Sequence, residues 1–135
     1  DMSSLNAVHQ QMIRCLSEVG GRLDAVFFCP HASEDQCECR KPLPGMMLEI
    51  ARRYGVNPAE IPMACDNLRD LRAAAAAGCQ PHLIATGRAA GLDESQLQAL
   101  AQQVPGTRVH ADLRALADLL LQSAPRAAAP ARSGG

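Results

Sequence analysis

Three short apolar runs, separated by helical patterns, place the strongest limit on the fold of this chain. The runs are DAVFF at residues 24–28, IPMAC at 61–65 and PHLIA at 81–85. Continuous apolar runs of this length are typical of strands buried on both faces of a parallel sheet. Their alternation with helices predicts an α/β fold with a parallel, Rossmann-like sheet.

The segments around these runs carry the periodicity of amphipathic helices. In the first segment, Leu5, Val8, Met12, Leu16 and Val19 recur every three or four residues, which predicts a surface helix that covers a sheet. Ser3 or Ser4 is expected to cap this helix, and Gly20-Gly21 to end it. Further helices are expected at about 45–54, 68–77, 93–103 and 112–122, with a short fourth strand at 108–110.

Composition excludes several classes of partner. The net charge is −1 and only 2% of residues are aromatic, so neither phosphate contacts nor base stacking favours nucleic acid. No apolar run is long enough to span a bilayer, and the first residues lack a signal-peptide pattern. We expect a cytoplasmic, monomeric protein with one domain at residues 1–122 and a disordered tail at 123–135.

Three cysteines and one histidine lie within eleven residues, at Cys29, His31, Cys37 and Cys39. Such spacing is typical of a zinc site, and four protein ligands would complete a tetrahedron and make the site structural. Free thiols or disulfides are the alternatives. A bridge between Cys37 and Cys39 is awkward because the two residues are so close in sequence.

Two carboxylates follow the second apolar run. Asp66 comes directly after it, at the edge of a parallel sheet where ligands collect, and Asp70 lies one helical turn further on. Carboxylates are suitable ligands for Mg²⁺. The alternative is that Asp66 caps the following helix and Asp70 is solvated.

Arg40 and Lys41 follow the cysteine cluster and precede Pro42. Two fixed cations beside a magnesium site would form a phosphate pocket. The alternative is that both are ordinary surface cations.

Three segments together resemble a known family: Cys-Pro-His at 29–31, CECRKPLPGM at 37–46 and DNLRD at 66–70. They are similar to the heptose 1,7-bisphosphate 7-phosphatases of the haloacid dehalogenase superfamily, over about residues 5–122. The phosphatase half of histidine-biosynthesis enzymes shares the zinc segment and is the nearest alternative.

The resemblance implies a Mg²⁺-dependent phosphatase that removes the 7-phosphate through an aspartyl-phosphate, in the sugar metabolism that supplies lipopolysaccharide core. By motif position, Lys41 is the catalytic lysine and Arg40 binds substrate. Asp66 is the magnesium ligand and Asp70 a supporting carboxylate. Zinc is implied as a structural ion on Cys29, His31, Cys37 and Cys39.

The chain departs from the family pattern in two ways. Cys65 replaces a glycine before the metal aspartate, and the nucleophile motif Asp-x-Asp-Gly occurs nowhere in the 135 residues. We therefore expect a C-terminal portion of a longer enzyme that lacks its N-terminal strands and is inactive alone. A second hypothesis is a non-catalytic, zinc-stabilised binding module. An upstream Asp-x-Asp-Gly strand would favour the phosphatase.

Overall fold

The chain forms two compact units, residues 1–30 and residues 31–135, in a computed structural model that describes residues 1–29, 37 and 40–123. The zinc-segment residues 30–36 and 38–39, and the predicted tail from residue 124 onward, lie outside the described residues. The helix before that tail includes Ser123, one residue beyond the expected boundary.

The first unit contains one long helix, α1 (Met2–Glu18). The helix was expected, but its cap is Asp1, whose side chain accepts a hydrogen bond from the Ser3 backbone N–H at 2.8 Å, and neither Ser3 nor Ser4. No residue of α1 is buried, and the expectation that its apolar stripe covers a sheet stays a prediction. Val8 and Met12 on that stripe are among the exposed side chains.

The predicted strand at residues 24–28 is not formed. These residues have neither strand nor helix structure, and Val26 and Phe28 are exposed. A buried strand needs a neighbouring strand to satisfy its backbone N–H and C=O groups. Apolar composition alone therefore did not suffice to make this run a strand.

The second unit contains a parallel sheet built from β1 (Pro62–Cys65), β2 (Gln80–Ile84) and β3 (Arg108–His110), in that order across the sheet. The register aligns Cys65 with Leu83 and Ile84 with His110. The strands predicted at 61–65, 81–85 and 108–110 are thus confirmed to within one residue. Because all three run in the same direction, their carboxyl ends share one edge.

The helices of this unit follow the predicted positions: α2 (Gly45–Tyr54), α3 (Leu68–Ala77), α4 (Glu94–Gln102) and α5 (Leu113–Ser123). Short 3₁₀ turns occupy Pro58–Glu60 and Gly87–Ala89. Asp93 caps α4 in a reciprocal capping box with Gln96, and the Asp112 side chain accepts from the Ala115 backbone N–H at 2.8 Å.

The core has two clusters that meet at α3. The larger cluster contains Cys65, Leu71, Leu83, Ala89, Leu97 and Val104, and the smaller contains Met47, Ala74, Ala77 and Cys79. Ala73 and Ala74 are fully buried, because alanines let this helix approach its neighbours closely. This packing fixes α3 and therefore the turn that precedes it.

Candidate active site at the carboxyl edge of the sheet

Asp66 lies just beyond the end of β1, and both of its oxygens are held in place. Oδ1 accepts a hydrogen bond from Asn67 Nδ2 at 2.8 Å, and Oδ2 accepts from the Arg88 backbone N–H at 3.0 Å. The hydrogen bond from the Arg88 backbone lowers the pKa of this carboxyl, and the hydrogen bond from Asn67 and the Arg88 charge lower it further. Partial burial acts in the opposite direction but does not cancel these effects. Asp66 is therefore a fixed carboxylate.

The cap of α3 is Asn67, whose side-chain oxygen accepts from the Asp70 backbone N–H at 3.0 Å. The interpretation of Asp66 as a helix cap is therefore wrong, because the next residue fills that position. Each carboxylate oxygen of Asp66 retains lone-pair capacity beyond its one hydrogen bond. This arrangement suits a cation ligand.

Gly87 approaches Asp66 closely and could not carry a side chain. Its φ is +57°, and a Cβ built on it would lie 2.4 Å from Asp66 Oδ2. The turn at 87–89 thereby brings the Arg88 backbone N–H against the carboxylate. The sequence analysis took Thr86-Gly87-Arg88 only as the start of a loop. The signal that could have identified it was a glycine shortly after the end of a buried strand, two residues beyond the predicted strand 81–85.

Lys41 forms an ion pair with Asp70. Nζ lies 2.9 Å from Oδ1, with 14% of the Asp70 side chain and 41% of the Lys41 side chain exposed. The alternative of a solvated Asp70 is therefore wrong, whereas the roles assigned to Lys41 and Asp70 stay predictions. Asp70 lies on α3, so the ion pair connects the segment before α2 to the turn that carries Asp66.

Arg40 lies next to Lys41 in a turn closed by the Leu43 backbone N–H, which donates to the Arg40 carbonyl at 2.9 Å. Its side chain is partly buried. α2 begins at Gly45, and its buried Met47 and Ala51 anchor this turn to the second unit. The two predicted cations are thus held by a structured segment.

Cys65 replaces the glycine of the family pattern without crowding the site. It is 3% exposed in the larger core cluster, and its thiol donates weakly to the Met63 carbonyl at 3.5 Å. Burial raises the pKa of this thiol to about 12, and the charge on Asp70 acts in the same direction. The charge on Lys41 lowers the pKa of this thiol and the charge on Asp66 raises it, so the charges of Asp70, Lys41 and Asp66 all lie around one buried, neutral thiol.

The predicted zinc ligands are only partly described. Cys29 and Cys37 are both partly buried, whereas His31 and Cys39 lie outside the described residues. Within residues 1–29, 37 and 40–123, no three His, Cys, Asp or Glu side chains cluster closely enough to hold a metal. Zinc at this position stays a prediction.

The Asp66 carboxylate has the properties that a magnesium ligand needs. Mg²⁺ takes one or two carboxylates and completes its octahedron with waters and phosphate oxygens. Asp66 offers an ionised carboxylate, held from two sides, at the sheet edge where such sites form. The residues therefore fit a magnesium ligand role for Asp66, with the Lys41–Asp70 pair nearby.

Comparison with known proteins places these motifs in context. Residues 38–116 match the HAD-hydrolase-like family model. A *Bordetella bronchiseptica* D-glycero-β-D-manno-heptose-1,7-bisphosphate 7-phosphatase is 52% identical over 126 residues, covering 92% of this chain and 66% of the relative. The *Pseudomonas aeruginosa* phosphatase of the same name is 38% identical, covering 90% of this chain and 65% of the relative.

Solved structures agree with the sequence comparison. The crystal structure of D,D-heptose 1,7-bisphosphate phosphatase from *B. bronchiseptica*, complexed with magnesium and phosphate, superposes with a TM-score of 0.81 at 52% identity, covering 92% of this chain and 66% of that one. The *Burkholderia thailandensis* enzyme gives 0.64 at 44% identity, with coverage of 90% and 64%. The chain thus spans about two thirds of the length of these relatives.

Proposed function

The chain belongs to the haloacid-dehalogenase-like hydrolase family, and we propose that it supplies the cation and metal-ligand part of a Mg²⁺-dependent phosphatase. The proposed reaction removes the 7-phosphate of D-glycero-D-manno-heptose 1,7-bisphosphate. One observation carries the proposal: Asp66 is held by Asn67 and the Arg88 backbone while Asn67 caps the helix. That arrangement leaves a fixed carboxylate free to serve a cation.

The proposed chemistry has two steps. A carboxylate oxygen attacks phosphorus and the bond between phosphorus and the C7 oxygen breaks, so the sugar oxygen leaves and takes a proton from an acid. Water then hydrolyses the acyl phosphate, releasing phosphate and restoring the carboxylate. The resemblance assigns the attacking carboxylate to an Asp-x-Asp-Gly segment, which these 135 residues do not contain.

The residues of this chain provide electrostatic stabilisation. Lys41, oriented by Asp70, places a cation where the phosphoryl group gains negative charge, and Arg40 binds substrate phosphate. Asp66 holds the metal, and Mg²⁺ when bound offsets charge on the phosphoryl oxygens. Structural zinc on Cys29, His31, Cys37 and Cys39 would hold the segment that leads into Arg40. We further propose a monomeric, cytoplasmic protein.

None of the helices among the described residues is long and apolar enough to cross a bilayer. The substrate proposal rests on the two phosphatases reported above, whose names specify the heptose bisphosphate.

The test is an assay of phosphate release from heptose 1,7-bisphosphate with Mg²⁺, with histidinol phosphate as the comparison substrate. We would assay the 135-residue chain alone and a chimera that adds the N-terminal segment of the *B. bronchiseptica* relative. Turnover of the heptose substrate by the chimera, lost on Lys41→Met, supports the proposal. A folded chimera that binds Mg²⁺ but hydrolyses neither substrate would favour the non-catalytic module, and a preference for histidinol phosphate would change the substrate.

A further inference from the structure

A cavity of about 560 Å³ lies at the opposite edge of the sheet from Asp66. Gln80, which begins β2, and Arg108, which begins β3, both line it. Asp66 follows the carboxyl end of β1, and the strands are parallel, so the cavity is at the amino edge. Its volume is within the range of small-molecule sites.

One of the residues that line the cavity, His82, has a buried imidazole with an unpaired nitrogen. His82, in the middle of β2, is 3% exposed and lines the cavity. Its Nδ1 lies 2.9 Å from His110 Nε2, so one ring donates to the other, but His82 Nε2 has no partner within the described chain. A buried polar group without a partner is unfavourable, so this atom favours a ligand that pairs with it.

Arg108 supplies the charge at the same cavity. It is the register partner of His82 on the neighbouring strand, it is exposed, and no described carboxylate pairs with its guanidinium. The neighbouring polar side chains have already used a donor: Gln80 Nε2 donates to the Ala59 carbonyl, and Ser123 Oγ to the Leu119 carbonyl. Gln80 keeps a second N–H, so the charged donor at the cavity is Arg108, and His82 Nε2 is a further donor in the tautomer protonated there.

The other residues that line the cavity indicate what kind of organic group the ligand can carry. Leu119 and Leu120 of α5, with Pro81 and Pro105, give part of the wall an apolar character. Among residues 1–29, 37 and 40–123, no Asp or Glu lines the cavity. We propose that this cavity binds a small oxyanion, a carboxylate or a phosphate monoester with a short organic body, through Arg108 and His82. The site is separate from the proposed phosphatase centre and does not depend on it.

A bound anion would also offset an unfavourable charge pattern. Burial lowers the pKa of His82, and His110 and Arg108 act in the same direction. An oxyanion beside the ring reverses part of this effect, because an opposite charge favours the protonated imidazole. Binding should thus be visible directly in the titration of His82.

The experiment is a titration of the full chain, labelled with ¹³C at histidine Cε1, followed by NMR. The four histidine signals are assigned by single substitutions, and the probes are inorganic phosphate in one arm and butyrate in the other, with chloride at equal ionic strength as the blank. We expect a saturable shift of the His82 signal in at least one arm and a higher titration midpoint for His82 when saturated. The arm that responds distinguishes a phosphate ligand from a carboxylate.

Matched variants locate the site. Arg108→Gln should weaken binding at least about ten-fold, the loss expected when one charge-assisted contact is removed. Arg114→Gln removes the same charge from an exposed position on α5 outside the cavity and should bind as the unchanged chain does. Lys41→Met, which alters the proposed phosphatase centre, should also leave the His82 response intact. The absence of a saturable shift in both arms, or equal binding by the Arg108 and Arg114 variants, would overturn the proposal.

Discussion

Lys41 Nζ and Asp70 Oδ1 lie 2.9 Å apart across 29 positions of sequence, and this ion pair joins the segment before α2 to the first turn of α3. Asp70 is the more buried partner, so the lysine is oriented toward the interior of the site. α3 also carries the cap beside Asp66. The pair therefore aligns the proposed phosphate-binding cation with the proposed metal ligand.

Removing the Lys41 charge should affect turnover far more than it affects folding. In the chimera, Lys41→Met should lower kcat by about 10²- to 10³-fold, the loss seen when a preorganised charge-stabilising donor is removed. Asp70→Asn keeps the shape and removes the partner charge, so a smaller loss is expected. Phosphate-release kinetics and metal content would be measured together; a kcat near that of the parent chimera for Lys41→Met would exclude Lys41 from the mechanism.

Cys65 should behave as a core residue. Cys65→Gly, which restores the family residue, should lower the free energy of unfolding by about 1–3 kcal/mol, because it removes a buried side chain and adds backbone freedom. Ala64→Gly is the control, since it makes the same backbone change at the adjacent, exposed strand position. Urea unfolding of both variants separates the two costs. Equal losses would mean that the Cys65 side chain contributes nothing.

The His82–His110 pair predicts a dependence of stability on pH. Burial lowers the pKa of both rings, and Arg108, the charged group that acts on both of them, contributes to the shift. The folded chain therefore keeps both rings neutral as pH falls below the unfolded value of 6.5, whereas the unfolded chain binds protons. The contribution of the two rings to the free energy of unfolding is therefore fully present above pH 6.5. It is lost as the pH falls from there through the folded pKa values.

The measurement is the free energy of unfolding in urea at pH 7.5 and 5.5. We expect the free energy of unfolding to fall by up to about 1.4 kcal/mol per pH unit for each proton that only the unfolded chain binds. His82→Leu should reduce this loss, whereas His9→Gln on α1 should not. Because both variants keep His31, any contribution from zinc release is the same in each. An unchanged pH dependence in His82→Leu would contradict the prediction.

The zinc segment should bind one ion per chain. Three thiolates and an imidazole at this spacing would form a closed tetrahedral set, and the affinity of a structural zinc contributes directly to folding. Cys37→Ser should lower both zinc content and thermal stability, while Cys15→Ser on the exposed surface of α1 should change neither. Elemental analysis gives the result, and purified protein without zinc, with all four ligands intact, would refute the site.

Local patterns predicted most of the second unit but not the contacts that complete the site. The strand that ends before Asp66 could be read from five apolar residues. The hydrogen bond from Arg88, 22 positions later, could not, because it depends on a left-handed turn brought close by strand pairing. The strand prediction at 24–28 was wrong for the opposite reason. The composition of this segment suits a strand, but a strand also needs a neighbouring strand to pair with.

The Asp66–Gly87 contact gives the sharpest test of the metal site. Gly87→Ala should weaken Mg²⁺ binding, because the new Cβ would lie 2.4 Å from Asp66 Oδ2 and must displace either the carboxylate or the turn. The same change adds about 1–2 kcal/mol of backbone strain at positive φ. Gly55→Ala imposes similar strain at φ +62° with no atom within 4 Å, and Gly91→Ala adds a methyl group in open space.

Calorimetric titration of the three variants with Mg²⁺ separates these effects. We expect Gly55→Ala to lose stability and keep its affinity, Gly91→Ala to keep both, and Gly87→Ala to lose both. Asp66→Asn should reproduce the affinity loss of Gly87→Ala without the strain, because a neutral amide is a poorer ligand for a hard cation. A second outcome is that Gly87→Ala and Gly55→Ala bind Mg²⁺ equally well while Asp66→Asn binds it weakly. Mg²⁺ would then need the Asp66 carboxylate, but it would not need the 87–89 turn to hold that carboxylate in its present position. If Asp66→Asn also binds normally, Asp66 is not a magnesium ligand, and its two hydrogen bonds serve to join β1 to that turn.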